Sequence, residues 1–348
     1  MQDNSDENLL QKQVKEYQAS NILYNYTPET LSFVDNFTKA LLMANGEYIC
    51  MVGDDDGILP NIIDVVEKAK ERKYDAIIPG LNAVYVWPSA NPIVKNGENG
   101  YLVVSYLNSN ERIIEDIQEN LILLLKHGGQ NYQQLDIPRL YHGIISRNAL
   151  EKVKSMTGKY FDGLTPDIYM ATALCFTCQK ICRLGYPVTI SGICPKSGSA
   201  DSATGRHTGK LEDAPHFKGH DKYEWDDRVP SIYSVESIWA ETVLHALSNF
   251  KKDFLSEYFA IDVLDGICLN RYPQFKTAIK EHATKYGIPL WRLYYLFYLH
   301  QSLLFVKKVI KRIFRKHGTV EKFTHVLNIE EAVDLVMEKL LKEVRNAY

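Results

Sequence analysis

The chain has 348 residues, 45% of them hydrophobic and 24% charged, and a formal net charge of −3. That size and apolar content can bury a large core, divided into two domains or one domain with a helical annex, and the near-neutral balance gives no reason to expect nucleic-acid binding. Six cysteines without the spacing of a disulfide-rich secreted module, and an acidic, polar start from Met1 to Asn8 that does not read as a signal peptide, predict reduced thiols in a cytoplasmic protein.

In chain order, residues 9–19 pattern as a helix and 21–26 as a short strand. A second helix is predicted to begin near Thr30 or Ser32, to place Phe33, Val34, Phe37, Ala40, Leu41 and Leu42 on one apolar side, and to stop at Asn45-Gly46. A strand over 48–52, a helix over 60–72 and a strand over 74–79 follow at βαβ spacing, which argues for a parallel α/β sheet. Asp54-Asp55-Asp56 falls just after the first of these strands, where ligands bind in such sheets. Adjacent carboxylates repel one another, so a fold that gathers them ordinarily has a cation to offset the repulsion. Taken alone, such a triplet is more often a solvated turn or a helix N-cap than a metal site.

Residues 82–110 read as hairpins or irregular loops, 111–127 as a helix, 128–136 as a polar loop and 140–146 as a strand leading into a helix from Arg147. A long helix is predicted over 167–184 and a strand over 186–193. On that helix Cys175, Cys178 and Cys182 share one side and read as small core residues rather than a metal or redox site. The Gly/Ser/Thr/Ala-rich stretch 196–209 suits a mobile loop over a site, and from about Ser231 the pattern is almost wholly helical. An apolar and aromatic run at 294–306 turns basic through Lys307, Lys308, Lys311, Arg312, Arg315 and Lys316. It is too short and interrupted to span a bilayer, and it fits either an interfacial helix on an anionic membrane or a buried helix with a solvated basic end. Residues 329–345 form an amphipathic helix suited to the same bundle or to a dimer contact.

Asn36-Phe37, Ala40, the run Ala44 to Ile49, Gly53 to Asp56 and Pro60 together resemble the segment of family-2 glycosyltransferases of GT-A fold in which a helix precedes a strand ending in a DxD motif. The resemblance implies Mg²⁺ or Mn²⁺ on the diphosphate of a nucleotide-sugar donor, most simply a UDP-sugar, with one carboxylate on the ribose. Asp55 aligns with the usual metal ligand, Asp54 and Asp56 keep one DxD spacing, and Gly53 stands where the family commonly has an aspartate. Metal is therefore expected at Asp55 and Asp56, and the nucleotide at Asn36, Asp54 and Asp55. Residues 2–6 are similar to the family's DNxSxD turn, which implies Asp3 near the nucleotide and a first β-α-β unit missing from this chain. The alternative is that residues 1–8 are a frayed polar tail. Residues 163–171 resemble the acceptor-facing helix start that carries the catalytic base, which would be Asp167 with Asp162 as a nearby substitute. A helix opening of the Thr165-Pro166-Asp167 kind explains the same residues without catalysis. The family's flexible loop corresponds to the region of Ser197, Ser199, Asp201, Ser202, Arg206, His207 and Lys210, where Arg206 and Lys210 would suit the diphosphate. His142 reads as a packed or edge histidine.

The resemblance thus implies an α/β fold with a GT-A-like, mostly parallel sheet over residues 1–225 and a helical region over 226–348. The implied activity is metal-dependent, inverting transfer of a sugar from a nucleotide-sugar donor to a saccharide or lipid-linked acceptor in bacterial surface-polysaccharide biosynthesis. The protein would be cytoplasmic, with peripheral contact at the inner membrane face through 290–316 and no nucleic-acid partner. A catalytically silent, truncated homologue acting as a binding or membrane-associated module is the competing expectation, and a metal-dependent phosphatase or nucleotidyltransferase is a third.

Overall fold

A computed structural model describes residues 1–17, 19–90, 100–105, 110–195, 197, 207–217, 223–295, 298–299, 302 and 320–346. The first elements are β1 (Gln2–Asp3), α1 (Leu10–Glu16), β2 (Asn25–Tyr26), α2 (Phe33–Met43), β3 (Tyr48–Ile49), β4 (Gly57–Ile58), α3 (Ile62–Arg72) and β5 (Ala76–Ile78). Then come β6 (Ala83–Val86), β7 (Tyr101–Val104), β8 (Glu111–Ile114), α4 (Ile117–Lys126), β9 (Ile144–Ser146), α5 (Arg147–Thr157), α6 (Pro166–Thr177), β10 (Ile181–Leu184) and β11 (Thr189–Ile193). The last are β12 (Thr208–Lys210), β13 (Ile232–Ser234), α7 (Val235–Asn249), α8 (Ile261–Arg271), α9 (Lys276–Lys285), β14 (Glu321–Thr324) and α10 (Ile329–Asn346).

The start of the chain is not frayed. β1 pairs in parallel with β2, and the Asn4 side chain donates to the carbonyls of Thr27 and Glu29 at 2.8 and 2.7 Å. α2 starts where its cap chemistry directs: the Ser32 hydroxyl accepts from the Asp35 N–H at 3.0 Å, and Val34 and Leu41 face the core.

The protein is α/β, but its sheets are mixed. Of the two five-stranded sheets, one orders β3-β9-β5-β10-β8 and the other β14-β7-β6-β11-β4, and β1-β2 and β12-β13 form two-stranded pairs. In the first only β5 and β10 run parallel, and in the second only β6 and β11 do. The expected mostly parallel sheet is therefore corrected. The βαβ spacing of 48–79 suggested that β3 and β5 are neighbours, yet β9, arriving from about 70 residues downstream, lies between them and antiparallel to both.

The expected long helix over 167–184 ends at Thr177. There the Asp75 carboxylate accepts the Gln179 and Lys180 N–H groups at 2.9 and 3.0 Å, turning the chain into β10. Cys182 consequently sits on a strand, while Cys175, Cys178 and Cys182 are all buried free thiols. Residues 111–114, expected as helix, form β8 on the sheet edge.

Two features tie the helical region to the rest. Leu121, Leu124, Ile168 and Ala171 share one core with Val243, Leu244, Leu264 and Cys268, so α7 and α8 pack directly on α4 and α6. The end of the chain returns to the second sheet: β14 pairs with β7, and Ala332, Val336 and Leu340 of α10 pack on Leu59, Tyr85 and Leu102. The amphipathic C-terminal helix thus covers a sheet rather than joining the bundle. Residues 290–295 and 298–299 are helical, with Trp291, Tyr295 and Tyr298 exposed. The basic run 307–316 lies outside the described residues, and among the described residues no helix is long and apolar enough to cross a membrane.

Candidate functional site

A cleft of about 2520 Å³ lies between β1, α2, the segment after β3, the opening of α6, and α7 and α8. It brings Asp3, Asn36, Asp54, Asp55, Asp56 and Asp167 together, although the chain separates them by more than 160 residues.

Beyond β3 the chain leaves the ladder at Met51, whose carbonyl accepts the His142 N–H at 3.0 Å. The loop that follows is fastened by Asp56. Its Oδ2 accepts the Gly53 N–H and the Tyr141 hydroxyl, both at 2.7 Å, and its Oδ1 accepts the Gly192 N–H at 2.8 Å. His142 Nε2 stands 3.4 Å from Oδ2. Both oxygens accept hydrogen bonds within the protein, so Asp56, expected as a metal ligand, clamps the loop in the metal-free protein. Gly192 is required for this approach: a Cβ there would lie 1.8 Å from the Asp55 carbonyl oxygen. Asp56→Ala should strip partners from three donors at once, at about 1–3 kcal/mol for each that stays buried. A fall in urea stability of more than about 2 kcal/mol is the expected result.

Asp55 is the contrasting case. It is 9% exposed, and its Oδ2 is buried with no hydrogen-bond partner. Burial first, then the charges of Asp56 and Asp54, push its carboxyl above the ordinary aspartate range. Asp54 is exposed beside it. A second orphaned atom in the cleft is the Asn36 side-chain oxygen. Asp3 is satisfied, accepting from the Ser5 hydroxyl at 2.5 Å and the Tyr24 hydroxyl at 2.6 Å; burial raises its carboxyl, and these bonds outweigh burial and hold it low.

Asp167 stands in the first turn of α6, and its Oδ2 accepts the Tyr132 hydroxyl at 2.8 Å. Burial raises its carboxyl, and the Tyr132 bond opposes the rise without cancelling it. A base of raised affinity is what proton abstraction near neutral pH uses. The Tyr141 hydroxyl is pushed up by burial first, then by the charges of Asp56, Asp55 and Asp167, so both carboxylate groups act on one side chain.

Of the two expected cations, Lys210 alone is among the described residues. Lys210 is exposed on β12, 3.8 Å from Glu212, and does not line the cleft. Arg206, with most of the 196–209 loop, lies outside the described residues. Among the described lining residues there is no lysine, and the two arginines are engaged, Arg183 with Asp136 at 3.7 Å and Arg271 with Glu236.

Asp162, the substitute base, is outside the cleft beside Lys159 and Asn249 at 3.3 and 3.0 Å. His245 Nε2 stands 3.5 Å from it, and the His245 charge opposes the rise of the buried Glu241 carboxyl, which burial lifts to about 7 from 4.5. The folded state then binds the proton more tightly than the unfolded chain, so this group lowers stability as pH rises from 4.5 to about 7. Glu241→Gln should be more stable than wild type at pH 8 and equal to it at pH 4, a comparison that denaturant titration makes directly.

Four cleft residues were not singled out as site residues from the sequence: Tyr132, Tyr141, Trp239 and, in the role it takes, His142. His142 is buried with a left-handed backbone, φ 59°, and Thr189 Oγ1 lies 2.9 Å from its Nδ1. The Tyr-His-Gly run before a strand was the available signal, since Gly143 admits a turn where a Cβ would meet the Arg139 carbonyl at 1.8 Å.

No group of three or more His, Cys, Asp and Glu side chains converges to hold a metal among the described residues. Mg²⁺ ordinarily needs only one or two carboxylates beside substrate phosphates and waters. The orphaned Asp55 oxygen with Asp54 adjoining it fits that smaller requirement. Fold and site together define an α/β protein with an acidic cleft at a strand end. No protein-family model matches the chain, and no curated protein matches it.

Proposed function

We propose that this protein is a metal-dependent, inverting glycosyltransferase, GT-A-like and of family-2 type, that moves a sugar from a nucleotide-sugar donor to a saccharide or lipid-linked acceptor in surface-polysaccharide assembly. The observation that carries the reading is one cleft holding an orphaned, buried carboxylate oxygen on Asp55 and a second carboxylate, Asp167, of raised proton affinity. Six carboxylates line the described cleft against two paired arginines. A diphosphate could not enter such a field without a divalent ion to offset the repulsion.

Asp55, with Asp54, would hold Mg²⁺ or Mn²⁺, which when bound neutralises the diphosphate and stabilises it on departure. Asp56 keeps the loop in shape, and Asp3 and Asn36 face the nucleoside. Asp167 takes the proton of the acceptor hydroxyl, its carboxylate oriented by Tyr132. A cytoplasmic location with peripheral membrane contact through 290–316 belongs to the same proposal, supported by the exposed Trp291, Tyr295 and Tyr298.

The test is UDP-sugar hydrolysis with and without Mn²⁺, monitored by release of free sugar and by donor calorimetry. Metal-dependent sugar release is expected. Absence of both turnover and donor binding would return the protein to the class of silent binding modules, and phosphate release alone would make it a phosphatase.

A further inference from the structure

The cleft is larger than its donor requires. Ligand sites of ordinary size occupy about 300–1,000 Å³, and a nucleotide-sugar at the upper end of that range would leave more than half of the 2520 Å³ free. Besides Asp167, the lining takes in the 127–134 turn and residues of α7 and α8. We infer that this arm is an elongated subsite for a neutral oligosaccharide of several units, which deepens the glycosyltransferase reading and rests on it by fixing the acceptor class.

The arm begins one side chain from the reacting carboxylate. Tyr132 donates to Asp167 at 2.8 Å, and its ring meets Trp239 edge-on with centroids 5.1 Å apart. Trp239 lines the cleft and is partly buried, giving a rigid aromatic surface for the C–H face of a sugar ring. Around it stand exposed amides, Asn131, Gln133, Gln134 and Asn270. Each amide offers both donors and an acceptor, which matches hydroxyl groups that also do both.

Charge selects against the other ligands. Arg271 and Glu236 neutralise each other, with the Tyr272 hydroxyl donating to the same Glu236 at 2.5 Å. No unpaired cation is left among the described residues of the arm to hold a phosphate or a uronic acid. A lipid chain would desolvate these amides, of which Gln133 keeps a bond to the Tyr132 hydroxyl at 3.5 Å, at about 1–3 kcal/mol for each left without a partner.

Calorimetry on the full chain, without donor or metal, using neutral gluco-, manno- and galacto-oligosaccharides of one to five units, tests the subsite. Affinity should rise with length through at least the trisaccharide in one of these series. Trp239→Ala should weaken it by about tenfold, and the exposed double variant Gln133→Ala/Asn270→Ala should weaken it without lowering the melting temperature. The inference is overturned if no oligosaccharide binds, if monosaccharides bind as well as longer chains, if the double variant binds as wild type does, or if polyprenyl phosphate alone binds. Metal-dependent donor hydrolysis without oligosaccharide binding would overturn the subsite and spare the function. Oligosaccharide binding without donor turnover would do the reverse.

Discussion

Asp55→Asn is expected to abolish metal-dependent donor turnover, lowering kcat by about 10²–10³-fold, while leaving the metal-free protein at least as stable as wild type. The two effects separate because the carboxylate is unfavourable until an ion meets it. Asp55 Oδ2 is buried without a partner, and burial with the neighbouring Asp56 and Asp54 charges raises its folded-state proton affinity. An acid whose folded pKa lies above its unfolded one lowers stability once pH exceeds the unfolded value, and the penalty disappears as pH falls through the raised one. Neutral asparagine has no such penalty. Wild type should therefore lose stability between acidic and neutral pH and regain it on adding Mn²⁺, by mass action on the folded state. The variant should lose the Mn²⁺ response and show a smaller pH-dependent loss, the part due to Glu241 and Asp167 remaining. Melting temperatures at two pH values, with and without Mn²⁺, make the comparison; an Asp55→Asn protein whose melting still rises with Mn²⁺ would remove Asp55 from the metal site. Asp56→Ala should instead be destabilised under every condition, because its oxygens already hold the loop.

The difference in bonding between Asp55 and Asp56 was not legible in the sequence, and the reason is range. The position of the triplet after a strand could be read locally, from the apolar run before it and the helix caps around it. Ser32, whose hydroxyl caps α2, and Pro166, which opens α6, were legible for the same reason, since such helix-start signals act within a turn. What Asp56 does depends on Gly192, 136 residues away, and on Tyr141, 85 residues away. No spacing rule connects those positions.

The larger errors share that origin. Residues 167–184 carry one apolar run, and periodicity alone cannot distinguish a buried helix from a buried strand that follows it. Asp75 decides the matter by accepting two N–H groups from a segment 104 and 105 residues downstream. The insertion of β9 between β3 and β5, which makes the sheet mixed, is likewise a pairing between distant segments. α10 was legible as amphipathic, but its amphipathicity said only that one face is covered. That the cover is the sheet of Leu59, Tyr85 and Leu102 follows from the β14–β7 pairing just before it.

The second large effect concerns the base. Asp167→Asn should lower kcat/KM by about 10²–10⁴-fold, the range in which a positioned proton acceptor contributes, with little change in donor affinity. Tyr132→Phe is the more discriminating variant, since it leaves the carboxylate in place and removes the hydroxyl that donates to it at 2.8 Å. That bond favours the ionised carboxylate, so its loss lets burial raise the Asp167 carboxyl further. The acidic limb of the kcat/KM profile should therefore move to higher pH in Tyr132→Phe, because a base of higher pKa is deprotonated only at higher pH. The alkaline plateau should fall much less than in Asp167→Asn, since the base is still present once ionised. A limb that stays in place would mean that Asp167 is not the group being titrated. A limb that moves to lower pH would mean that the Tyr132 hydroxyl favours the protonated carboxyl, and its place as the residue orienting an ionised base would be lost.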